Sequence, residues 1–233
     1  MNNKRLVISL AIVGIILLLV ATAPAEAALK LRISTDGGAT YTTVSDGGAG
    51  DFNSDTGAIT YIGRLGVWDL NVATGVGSAF SGPGSIDLNS VNNSSGAGTL
   101  VIDFTETDFD TDFPGWSMLF GGTLTGPAGS TVSARTWAND SNNLFATESL
   151  IGTLGPFGPG AFAGEVGASA SVSPLYSLTQ RVEISLTGAG QYSGDLNLQP
   201  LPEPASLAVW GLFGLMGLAA FQRLRKKRRN QAS

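Results

Sequence analysis

The chain has no cysteine and no histidine. Without cysteine no disulfide can brace the fold, although small exported domains commonly rely on them. Without histidine the commonest general base and the usual zinc or copper ligand are missing. Serine is plentiful, but no His or Cys stands by to activate or replace it, which argues against Ser-His or Cys-His nucleophilic catalysis. Lys30 is the only lysine between the two termini, and it falls in an apparent strand. The glycine-rich segments carry neither a phosphate-loop lysine motif nor a dinucleotide fingerprint.

Positive charge is scarce too, and the formal net charge of −5 conceals where it lies. Lys4, Arg5 and the cluster Arg223, Arg225, Lys226, Lys227, Arg228 and Arg229 sit at the two ends. Between them only Lys30, Arg32, Arg64, Arg135 and Arg181 remain. They face sixteen acidic residues once Glu26 and Glu203 are set aside, a surplus of 11 negative charges. Such a body argues against nucleic acid, whose phosphates select a basic surface. It suits a protein outside the cell, or one that binds divalent cations.

Long apolar runs occur only at the termini. Lys4 and Arg5 precede Leu6–Val20, which only Ser9 and Gly14 interrupt, and Ala25-Glu26-Ala27 follows as an A-x-A cleavage site. This is the pattern of a secretory signal peptide, a substrate of the secretion translocon. Cleavage after Ala27 leaves Ala28 as the new amino terminus. Ala21-Thr22-Ala23 is a poorer site, because Pro24 would follow the cut.

The carboxyl end reads in three parts: Leu201-Pro202-Glu203-Pro204-Ala205-Ser206, then the uncharged run Leu207–Phe221, then the basic cluster from Arg223 to Arg229. The two prolines cannot lie inside a helix and hold the chain extended. At about 1.5 Å per residue, a helix over the run covers roughly 22 Å. The hydrocarbon core is about 30 Å thick, so this is a short span. The basic cluster marks the cytoplasmic side, which places the body on the other.

These three parts, in this order, resemble the PEP-CTERM sorting signal of Gram-negative bacteria. The resemblance covers Leu201–Arg229. It implies that an exosortase, a membrane-embedded protease-like partner, recognises Pro202, Glu203 and Pro204 and releases the protein to the surface or the medium. Three segments are therefore expected: a signal peptide over 1–27, an exported body over 28–200 and a sorting signal over 201–229. The membrane is a partner only through the carboxyl-terminal helix, before processing. Tyr176–Gln180 is loosely similar to a Tyr-Ser-Leu-Thr-Gln segment in exported bodies that carry this signal, and implies no activity.

Within the body no window shows a long helical period. Short alternating runs recur, punctuated by Gly, Asn, Asp and Ser. Strands are expected at Leu29–Ile33, Thr40–Val44, Ala58–Arg64, Val67–Val72, Ser85–Val91, Thr99–Thr105, Trp116–Leu124, Thr131–Trp137, Leu144–Ile151, Ser177–Thr187 and Ser193–Leu198. Asn92–Gly98 reads as a flexible loop and Gly152–Gly164 as irregular. The pattern predicts an all-β, antiparallel β-sandwich, jelly-roll-like, with a barrel as the runner-up.

Several residues are candidates for chemistry. Asp108, Asp110 and Asp112, two apart within the acidic stretch Asp103–Asp112, supply carboxylates of the kind calcium requires. The glycine and distal glutamate of an EF-hand loop are absent, so a solvated acidic loop is the competing reading. Asp46, Asp51 and Asp55 form a weaker set, in which Gly47, Gly48 and Gly50 serve the turn. Trp68, Trp116 and Trp137 fit either a sugar-stacking platform or core packing. Glu148 with Glu165 is a conceivable glycoside-cleaving pair, although no spacing singles it out. Sequons at Asn92, Asn93 and Asn139 fall in expected loops. The sequence thus points to a non-enzymatic exported protein, structural or adhesive. A carbohydrate-binding module, contacting extracellular polysaccharide and stabilised by calcium, is the alternative, and a polysaccharide hydrolase comes third.

Overall fold

The computed structural model describes residues 28–74, 84–111, 115–169 and 172–201. The expected signal peptide, Ala25 and Ala27 of its cleavage site, Pro202–Pro204, the apolar span and Arg223–Arg229 lie outside them. Twelve strands and no helix occur among the described residues. They are β1 (Leu29–Ser34), β2 (Thr42–Ser45), β3 (Thr60–Leu65), β4 (Trp68–Thr74), β5 (Ile86–Ser94), β6 (Gly98–Phe109), β7 (Trp116–Thr125), β8 (Thr131–Asn139), β9 (Ser149–Phe157), β10 (Gly160–Ala168), β11 (Tyr176–Leu186) and β12 (Gly190–Pro200).

The strands form two antiparallel sheets. Sheet A has the order β2-β1-β6-β11-β8-β9 and sheet B the order β10-β7-β12-β5-β4-β3. Consecutive strands meet across the sandwich at β5/β6, β7/β8, β9/β10 and β11/β12. One apolar core fills the space between the sheets, as alternation requires when each strand buries one face. In β1, Leu29, Leu31 and Ile33 point inward while Lys30 and Arg32 point out.

Aromatic rings dominate that core. Trp68, Trp116, Phe104, Phe120, Tyr176 and Tyr192 are all fully buried. At the β7/β10/β12 corner the rings of Phe120 and Phe162 sit 5.0 Å apart, with Phe157 stacked 5.0 Å from Phe162. Gly122 makes this packing possible. A Cβ there would fall 2.6 Å from Gly194 Cα and 3.0 Å from the Phe162 ring. Burial raises the pKa of the Tyr192 hydroxyl, with the charge of Asp195 adding to it. Gln180, on β11, donates across the core to the carbonyls of Leu196 (3.0 Å) and Ile86 (3.2 Å) in sheet B. The Tyr176–Gln180 segment is thus a buried start to a central strand.

Four expectations are corrected. Asn92–Ser94 is strand, not loop: it continues β5, with Asn92 and Ser94 pointing into the core. Polar side chains at inward positions had hidden the alternation. β6 runs through Glu106 to Phe109, where an acidic loop was expected. The expected strand Leu144–Ile151 is displaced to Ser149–Phe157, because residues 140–148 close the β8–β9 connection. Gly152–Gly164, read as irregular, instead contributes the rest of β9 and the first half of β10. In β10 the inward set Phe162, Gly164, Val166 and Ala168 alternates with Ala161, Ala163, Glu165 and Gly167. Small residues on both faces flatten the hydrophobic signal.

Candidate functional site

The two outer faces carry different chemistry, which follows from register. On sheet A one row runs across all six strands: Thr43, Arg32, Asp103, Arg181, Arg135 and Thr153. The central rows of this face hold four of the five basic residues of the body, Lys30, Arg32, Arg135 and Arg181, against Asp103 and Glu183. On sheet B the outer strand positions hold Arg64 against Asp69, Asp87, Asp195 and Glu165.

Asp103 organises the sheet A row. Its side chain is 0% exposed, whereas those of Arg32 and Arg181 are 23% and 24% exposed. Arg32 Nε donates to Oδ2 at 2.7 Å. Arg181 donates through Nε to Oδ1 at 2.6 Å and through Nη2 to Oδ2 at 2.8 Å. The bidentate contact is the geometry that makes arginine–carboxylate pairs strong. It holds the Arg181 guanidinium even more firmly protonated than usual, against the opposing effect of burial.

Aromatic rings complete the arrangement. The Arg32 guanidinium lies between Tyr41 and Phe145, 4.3 Å and 4.2 Å from the ring centroids. Arg181 sits 5.9 Å from the Trp137 centroid. Phe145 comes from the β8–β9 loop, which folds onto sheet A and is tied there at several points. Asn139 donates to the Ala146 carbonyl and accepts from the Glu148 amide. The Phe145 amide donates to Thr105 Oγ1, and Ser177 donates to the Asn143 carbonyl. Asp108 and Asn142 bond reciprocally at 2.9 Å and 2.7 Å. Asp108, Asn142 and Phe145 are the three described non-glycine residues with positive φ. For a residue as bulky as Phe that backbone is unusual, and such strain clusters where structure serves a function.

The residues anticipated from sequence fare unevenly. The Asp108 carboxylate is engaged by Asn142 and by the Thr107 hydroxyl at 2.7 Å. Asp110 is exposed and accepts from Thr111, and Asp112 lies outside the described residues. Among the described residues no group of three or more acidic side chains gathers as a metal site. Asp46 and Asp51 accept backbone amides of Gly57, Asn53, Thr60 and Gly47, so they build their own loop. Trp68 and Trp116 are core residues and cannot stack on a sugar. Trp137 is the one of the three on an outer face, and it too is largely buried. Asn92 and Asn139 are fully buried, which removes them as acceptors of a modification; Asn93 is exposed on sheet B. Glu165 accepts from Ser117 on the outer face of sheet B, while Glu148 sits on the loop entering β9 of sheet A.

The Asp103 cluster was not anticipated. Its signal was present in the scarcity of basic residues, but pairing Arg32 with Arg181 needs a register spanning 149 positions of chain.

No known family model matches the chain, and no curated protein matches it. Among solved structures the likenesses are distant. The enzymatically active domain of Bacteriophage CBA120 tailspike protein 4 matches at 15% identity and TM-score 0.31, over 59% of this chain and 20% of that one. The chain therefore spans about a fifth of that protein. TmCBM61, solved in complex with beta-1,4-galactotriose, matches at 10% identity and TM-score 0.32, over 60% of this chain and 92% of that one. The CBM22-1 xylan-binding domain from Paenibacillus barcinonensis Xyn10C matches at 10% identity and TM-score 0.26, over 64% and 89%. Likenesses this distant carry no argument about function.

Proposed function

We propose that the chain is an exported, non-enzymatic protein of the cell surface or extracellular matrix, sorted through Pro202, Glu203 and Pro204 by an exosortase-like membrane protease. One observation carries this reading. The sandwich begins with β1 at Leu29 and ends with β12 at Pro200, and β12 is paired on both sides, with β5 and with β7. Cleavage after Ala27 or at Pro202–Pro204 would therefore remove none of the described strands. The Ala28 amide already donates to Thr107 Oγ1 at 2.9 Å, and Thr107 donates in turn to Asp108. An ammonium freed at Ala28 keeps an acceptor there. Leu201 is anchored through its amide to the Gly115 carbonyl at 2.8 Å, so the sorting signal leaves from a fixed point.

The test is Glu203→Ala in the native host. The variant is expected to stay in the inner membrane, and fractionation with an intact-mass measurement of any shed protein reads the result. Unchanged release, or shed protein with its carboxyl terminus intact, ends the sorting role.

A second reading, that the body binds carbohydrate, is favoured by the arginine–aromatic row on sheet A. Guanidinium groups and rings are the groups that bond and stack on sugars, and here a buried carboxylate holds them in place. Screening the protein against a glycan array tests it; no bound glycan would remove it. Trp116 is unsuitable as a probe, because its truncation would empty the core.

A further inference from the structure

We propose that the outer row of sheet A binds a carboxylated polysaccharide, with Arg135, Arg181 and Arg32 as its anion contacts; this rests on the carbohydrate-binding reading and names its ligand class. Three observations carry it.

The first is a charge anomaly. Arg181 and Arg135 are directly opposed in register between β11 and β8. Like charges in that position destabilise a sheet. Asp103 is shared between Arg32 and Arg181, and Arg135 forms no salt bridge with any described residue. Within the row three guanidiniums face the single carboxylate of Asp103, with the charge of Glu183 from a neighbouring row also acting on Arg181, on a body that is otherwise strongly acidic. A fold with five cations to place has concentrated three in one line, at a cost that an anionic ligand would offset.

The second is preorganisation. Asp103 takes Nε from both Arg32 and Arg181, and the Tyr41 and Phe145 rings fix the Arg32 plane. No hydrogen bond ties the terminal nitrogens of Arg32 to another described residue. Guanidinium groups held this way lose little freedom when they bind a carboxylate in a planar, paired contact.

The third is shape. The row crosses six strands spaced about 4.8 Å apart, so it is roughly 24 Å long. Thr43 and Thr153 place a hydroxyl at each end. An isolated anion would use one position of such a line. An extended polymer with repeated carboxylates and hydroxyls uses its length.

The experiment compares wild-type protein and Arg135→Ala, both as full chains in detergent, by calorimetric titration with polygalacturonate, its methyl-esterified form and dextran sulfate. Wild type is expected to bind polygalacturonate best, and esterification, which removes the charge, should weaken binding about tenfold. Arg135→Ala should weaken it by a similar factor and leave the melting temperature unchanged or higher, since it relieves repulsion. Equal binding of dextran sulfate would overturn the carboxylate assignment and leave a general polyanion surface. Equal binding by Arg135→Ala would overturn the site. Concentration-dependent self-association that Arg135→Ala abolishes, with no glycan bound, would assign the face to a second copy and overturn the proposal. Binding of neutral glycans that ignores Arg135 would sink the anionic site but keep the carbohydrate reading; no glycan bound at all would sink both.

Discussion

The outer faces of sheets A and B are built from the same number of strands in the same antiparallel pattern, yet they differ in kind. Sheet A presents long cationic side chains, ordered by a carboxylate beneath them and by a strapped loop above. Sheet B presents short polar and small residues such as Asn71, Asn89, Ser193, Thr123 and Ala163, with an acidic surplus. Its shallow depression of about 400 Å³, lined by Ile62, Gly63, Asp69, Leu70, Asn71, Val91 and Asn93, contains no aromatic ring. Its one salt bridge among the described residues, Arg64–Asp69 at 3.8 Å, has both side chains at least 60% exposed. The difference teaches that burial, more than charge count, makes an ion pair structural. Asp103 is desolvated and must be satisfied; Asp69 is solvated and need not be.

Perturbing equivalent elements on each face sharpens that contrast. Asp103→Ala should have the largest effect. Removing the buried acceptor strands two partly buried guanidiniums, and breaking such a group typically costs about 3–5 kcal/mol. Asp69→Ala, the matching change on sheet B, should cost at most about 0.5 kcal/mol. Urea unfolding of both variants measures the gap, and similar losses would dissolve the comparison.

Phe145→Ala should come next, at about 1–2 kcal/mol, from the lost cation–π contact with Arg32 and the loosened loop. Hydrogen exchange at the Phe145 amide, which bonds Thr105, should accelerate in the same variant. If it does not, the ring is not what holds the loop down.

The smallest effects are pH dependences, the first of them on sheet B. Desolvation, then the hydrogen bond with Asp87 and that group's charge, push the Asp195 carboxyl up to about 6 from 3.8. A carboxyl with a raised pKa binds its proton more tightly in the folded state. Its contribution therefore favours folding at low pH and declines as pH rises from about 4 to about 6. Asp195→Asn should flatten that decline and raise the melting temperature slightly at pH 7. Asp36 works in the opposite sense, because hydrogen bonds from the Ser34 and Thr40 hydroxyls lead the effects that lower its pKa. The stability it adds is lost as pH falls below the ordinary carboxylate range, and Asp36→Ala should lower the melting temperature at pH 7 and flatten that acid-side decline.

Alternation and turn residues determined by themselves that this body is all-β, and they placed β1, β7 and β11 nearly to the residue. Composition determined that histidine and cysteine chemistry were closed to it. The two terminal patterns proposed as export and sorting signals are also local, because charge, proline and apolar length act over short stretches. The tertiary structure decided the rest. β10 was illegible because an edge strand that packs Gly164 beside Leu154 and Phe157 needs no strong apolar signal of its own. The inward Asn92 and Ser94 were illegible because their surroundings, not their polarity, set which way they face. The Asp103 cluster depended on pairing segments that lie 71 and 78 positions apart in the chain. Local sequence sets a residue's periodicity, but which charges become neighbours is settled only when distant strands choose their register.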